Sequence, residues 1–140
     1  MSGKSAKVAA RVSGIESGPW DRRYIGWFEC FNRGEYYEAH DVLEDLWLEE
    51  GKAGFNYAFH KGLIQFAGAF VHLQKDRLGP SVALFRLAEA NFQRYPPRHD
   101  GVDLSAILRL LIGWRDAVET GAGVNPLGSR PAPRVEKPAF

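Results

Sequence analysis

Residues Glu35 to Glu49 read E-Y-Y-E-A-H-D-V-L-E-D-L-W-L-E. At about 100° per residue, one helical arc collects Tyr36, Tyr37, Ala39, Leu43, Leu46, Trp47 and Leu48, and the opposite arc holds Glu35, Glu38, Asp41, Asp45 and Glu49. The stretch is therefore an amphipathic helix, punctuated by Gly34 before it and by Gly51 and Gly54 after it. Two ionisable residues one turn apart, His40 and Glu44, fall near the middle of the arc expected to be buried. A carboxylate placed there must have partners, be neutralised or hold an ion, because burying it alone is costly.

Upstream, Trp20, Tyr24, Trp27, Phe28 and Phe31 recur at helical steps, predicting a helix from Pro19 to about Asn32. Residues 1–18 are small, Gly/Ser-rich and weakly basic without a sustained period, which predicts a disordered leader. Downstream, a third helix over roughly Phe55 to Gln74 is apolar nearly all round, the mark of a buried central helix. Pro80 opens a fourth, which runs to about Tyr95, where Pro96 and Pro97 stop it. Asp103 is a candidate N-cap for a fifth helix to about Thr120. The Pro/Gly-rich tail 121–140 is expected to be extended or disordered. No segment alternates convincingly as a strand. The fold class is thus all-α, a single bundle-like domain of about five helices over residues 19–120.

Composition narrows the function classes. The chain has 140 residues, 45% hydrophobic and 25% charged, with a formal net charge of +1. That balance gives no reason to expect nucleic acid. Seven acids and no Lys or Arg lie between residues 35 and 50, and such a face repels phosphate. One cysteine, Cys30, excludes an internal disulfide and fits a reducing cytoplasm. It lies in an aromatic helix as an inert packing residue. The longest apolar run, Gly62 to Val71, is too short to span a bilayer, and no secretory h-region follows the N-terminal basic residues.

On the central helix, Lys61, Gln65 and His72 fall within about 40° of one another, flanked by Ala58, Gly68 and Ala69. This stripe is expected to face the polar centre of the second helix, since a short connection favours antiparallel neighbours. Two readings follow. His40, Glu44, Gln65 and His72 can form a satisfied structural hydrogen-bond network. Alternatively His40, Glu44 and His72 are ligands of a divalent transition metal (Zn, Fe, Mn or Ni), because imidazole and carboxylate suit these ions. His60 and Glu38 project outward as solvated groups, and His99 is expected in a loop. The later arginines, Arg86, Arg94, Arg98, Arg109 and Arg115, balance the acidic helix or a partner subunit.

The run F-N-R-G-E-Y-Y-E-A-H-D-V-L-E-D-L-W, Phe31 to Trp47, followed by K-G-L-I-Q at Lys61 to Gln65 and a His at the end of that helix, resembles a bacterial and archaeal family. It is the family known as domain of unknown function 309, marked by a His-x3-Glu-x2-Trp (or Tyr) motif, met here by His40, Glu44 and Trp47. The resemblance covers roughly Trp20 to Tyr95. It implies a small all-helical protein whose function is not established and whose motif has been suggested to bind metal.

The leading expectation is a metal or small-molecule site between the second and third helices. His40, Glu44, Gln65 and His72 form it, with Lys61 alongside and Tyr36, Tyr37 and Trp47 as walls. If the site is catalytic, Glu44 is the candidate general base of a hydrolase-like reaction. The rival is a non-enzymatic helical adaptor in which the cluster only sets helix register. The aromatic content leaves room for a homo-oligomer interface.

Overall fold

The computed structural model describes residues 3–140, with side chains from Ser5 onward. Six helices and one minute hairpin follow in order: α1 (Gly3–Val12), α2 (Arg22–Asn32), α3 (Tyr36–Glu50), α4 (Tyr57–Gln74), α5 (Leu78–Phe92), β1 (Arg98–His99), β2 (Val102–Asp103) and α6 (Leu104–Thr120). None of the described helices is long and apolar enough to cross a membrane.

α4 is the axis of the array. Its apolar residues recur on every side, so twelve of its positions are buried, and α3 and α5 flank it. A chain of rings runs through the core. Trp27 stacks on Phe31 with centroids 4.8 Å apart, Phe31 stacks on Phe66 at 5.2 Å, and Phe70 meets Phe85 and Trp114 edge-on at 5.3 and 5.1 Å. Trp27 buries its only polar atom by donating from Nε1 to the Leu63 carbonyl at 3.1 Å. Cys30 is fully buried here, and burial pushes its thiol pKa up, which agrees with inert packing. α5 packs tightly on α4 at Gly62, where a Cβ would stand 2.6 Å from the Phe92 ring.

Two expectations about the helix ends are corrected and one is met. Within the leader, Gly3–Val12 is helix rather than disordered; Met1 and Ser2 lie outside the described residues. Val8 and Val12, one turn apart, bury against Val42 of α3. Two valines are too few to register as a period, so docking rather than pattern stabilises α1. α2 begins at Arg22, not Pro19, because the Asp21 side chain accepts from the Arg23 backbone N–H at 2.8 Å and caps it. Asp103 does cap α6, accepting from the Ala106 N–H at 3.1 Å.

The tail is extended and attached. Asn32 exchanges two hydrogen bonds with the Val135 backbone at 2.8 and 2.7 Å, and Trp20 Nε1 donates to the Ala139 carbonyl at 3.1 Å. Pro133, Val135 and Pro138 are buried. His99, expected in a loop, pairs with Val102 in the hairpin. Asp100 and Gly101 make its turn with φ values of 45° and 77°, the left-handed pair that a tight hairpin requires.

Candidate functional site

α3 and α5 leave a cleft over one face of α4, with a volume of about 590 Å³. Tyr37, His40, Glu44, Lys61, Gln65 and His72 all line it, joined by Leu84 and Leu87 from α5. Two residues expected as walls are elsewhere. Tyr36 is 3% exposed and stacks on Phe70 at 5.1 Å, inside the core. Trp47 is half-buried, donates from Nε1 to the Tyr57 carbonyl at 3.1 Å, and meets the cleft only through Lys61, whose Nζ lies 4.3 Å over its ring.

His40 and Glu44 are not buried at the centre of a helix interface. Their side chains are 29% and 25% exposed, at the mouth of the cleft. The cause is packing direction: α4 fills the space beside Ala39, Leu43 and Leu46, and the arc bearing His40 and Glu44 overhangs its edge. His40 Nδ1 is 3.2 Å from Asp41 Oδ1 and Nε2 is 3.5 Å from Glu44 Oε2. One carboxylate thus stands on each edge of the imidazole. Helical projection puts Asp41 on the acidic outer face; side chains at i and i+1 do not ordinarily share a face, so projection does not reveal this contact.

Among the described residues, the metal-type ligand atoms lying within 4.8 Å of one another are those of His40, Asp41 and Glu44. His72 lines the same cleft but is outside that group. Its Nδ1 is buried without a hydrogen-bond partner. Burial first, then the charges of Arg77 and Lys75, push its pKa down, so it is neutral at neutral pH and able to act as a ligand. Gln65 turns to α5, its Oε1 accepting from Asn91 Nδ2 at 2.8 Å. Asn91 escaped sequence reading because nothing in α5 signals which of its polar residues faces α4.

Asp45 and Glu49 of α3 are engaged rather than merely solvated. Arg23 reaches Asp45 and Glu49 at 2.8 Å each while also holding Asp21 at 3.0 Å, and Ser5 Oγ donates to Asp45 at 2.6 Å. Arg115 pairs with Glu89 and Arg86 with Glu119, both at 2.6 Å, so these two arginines tie α6 to α5.

His60 also departs from expectation. It is 3% exposed and its Nδ1 lies 2.7 Å from Glu50 Oε1. Nearby, His99 Nε2 meets Asn56 Oδ1 at 2.7 Å and Asn56 Nδ2 donates to Asp100 at 2.6 Å. The hairpin and the α3–α4 connection cover one end of α4, and only their folding back encloses His60.

Fold and cleft together define a small helical-array domain with a mixed polar and apolar surface cleft on its central helix. Residues 24–84, from α2 into α5, match the profile of the family described as domain of unknown function (DUF309). The cleft's α3 and α4 walls lie inside the matched segment; α1, α6 and the tail lie outside it. No curated protein matches the chain. No solved structure matches it either.

Proposed function

We propose that the cleft is a divalent transition-metal site within a small-molecule pocket. His40 and Glu44 are the ligands, Asp41 orients the imidazole from behind, and His72 is a further donor on α4. The observation that carries this reading is the imidazole set between two carboxylates. In the tautomer that donates Nδ1–H to Asp41, the Nε2 lone pair faces the Glu44 carboxylate at 3.5 Å, and a cation between them would be held by both. That separation suits two ligands sharing one ion at bonds of about 2.0–2.2 Å. A carboxylate on the far nitrogen of a ligating histidine is the usual supporting arrangement. Asp41 approaches the opposite edge of the ring from Glu44, and its part in this reading is to orient the imidazole.

Partial exposure also speaks for this reading over a purely structural network, because an exposed His–Glu pair adds little to stability. A bound ion would supply Lewis acidity and, with a position left open, an acidified water suited to hydrolysis. Lys61, Gln65 and His72 would orient what enters.

The test is metal uptake by untagged protein, read by calorimetric titration and elemental analysis. One equivalent of zinc or manganese bound by the wild type and lost in both His40→Ala and Glu44→Gln, with the melting temperature of the metal-free variants unchanged, is the expected result. Absence of uptake by the wild type overturns the reading.

A further inference from the structure

We propose that the same cleft takes a small amphiphilic anion, a carboxylate or phosphate head on an apolar body. This extends the reading of the cleft as a small-molecule pocket and rests on that reading, but it draws on residues other than the two metal ligands.

The floor and one wall are apolar. Ile64, Gly68 and Val71 of α4 form the floor, and Leu84 and Leu87 of α5 form the wall. A Cβ at Gly68 would stand 3.1 Å from Leu84 Cδ1, so the glycine lets the α5 wall close down on α4. Leu87 is 52% exposed and Tyr37 is 58% exposed, and they belong to the two helices on either side of this floor. Large apolar side chains left uncovered on both sides of one cleft mark a surface made to be covered. The volume, about 590 Å³, lies inside the range of about 300–1,000 Å³ that small organic ligands fill.

The polar complement selects the sign of the head. Lys61 and Lys75 both line the cleft, and Lys61 is held in place over the Trp47 ring. Gln65 has its oxygen taken by Asn91, which leaves its NH2 end as a donor. Against these donors the lining offers one carboxylate, Glu44. An ion on His40 and Glu44 would add positive charge, but Lys61 near the start of α4 and Lys75 at its C-cap already favour an anion at either end of the cleft without it.

The experiment titrates octanoate, octyl phosphate and octyltrimethylammonium into the full-length protein freed of metal by chelation, followed by calorimetry and by amide NMR shifts. At least one of the two anions is expected to bind with a Kd below about 1 mM, and the tighter of the two identifies the head group. The cation of equal chain length is expected to bind at least about tenfold more weakly. Lys75→Gln and Lys61→Gln are each expected to weaken the anion about threefold to tenfold without weakening the cation, and Leu87→Asn to weaken both. Equal affinity for anion and cation overturns the proposal. So does failure of both anions to bind, or anion affinity that is unchanged in the Lys61→Gln/Lys75→Gln double variant. Metal uptake depends on His40 and Glu44 and is scored separately, so each reading can fail while the other stands.

Discussion

His60 Nδ1 stands 2.7 Å from Glu50 Oε1, tying the first turn of α4 to the last residue of α3. Burial lowers the His60 pKa below its ordinary 6.5, opposed by the Glu50 charge. The unfolded chain therefore takes up a proton that the folded state refuses, and stability is full above about pH 6.5 and falls as the pH drops below it. Urea unfolding between about pH 7.5 and about pH 5.5 should show this loss in the wild type and a shallower one in His60→Gln. His72, lowered chiefly by burial in the same direction, supplies part of the residual slope. Identical slopes in wild type and variant would clear His60 of any role.

Gly62 and Gly113 are both helical glycines with opposite surroundings. A Cβ at Gly62 would press on the fully buried Phe92 ring at 2.6 and 2.8 Å, whereas nothing lies within 4 Å of one at Gly113. Gly113→Ala should raise the unfolding free energy by about 0.5–1 kcal/mol through helix propensity. In Gly62→Ala the same gain is set against an overpacking cost of about 1–3 kcal/mol, so a net loss of about 1 kcal/mol is expected. Chemical denaturation of the two variants side by side checks both signs.

Among the described residues, α1 buries Val8 and Val12 alone, in a cluster with Val42 that is separate from the main core. Deleting residues 1–14 should leave one cooperative transition and a helical circular dichroism spectrum, with unfolding free energy lower by about 3 kcal/mol, the lower end of the worth of two buried valines. Loss of cooperativity would make α1 integral to the fold.

Asp41 supports His40 from behind the proposed ligand edge. Asp41→Asn keeps the shape but removes the charge that fixes the ring, and should weaken metal affinity by about 10–100-fold with the stoichiometry retained. Calorimetric titration beside Glu44→Gln, where binding is lost outright, separates an orienting residue from a ligand.

Much of the cleft could be read before any tertiary structure. Lys61, Gln65 and His72 share a stripe because one helix places residues at multiples of about 100°, and that stripe does meet His40 and Glu44 at one cleft. Asp41, Asn91 and the α5 leucines were not legible. The first reaches His40 through a side-chain rotation, and the others depend on how α5 lies against α4. His60 was misread for a related reason: its projection is outward from the Lys61 stripe, but the hairpin 98–103 and the α3–α4 connection close over that side.

Local chemistry was sufficient for the all-α class, for the ends of α3 to α6 within a few residues and for α4 as the axis, because helical period, glycine and proline punctuation and side-chain caps act over one or two turns. Burial was decided by the assembled chain. Docking of two valines makes residues 3–12 a helix, overhang puts His40 and Glu44 at a solvent-facing mouth instead of in the core, and the returning tail and hairpin enclose groups hundreds of atoms away along the backbone. Such contacts depend on where whole helices come to rest, which no window of sequence encodes.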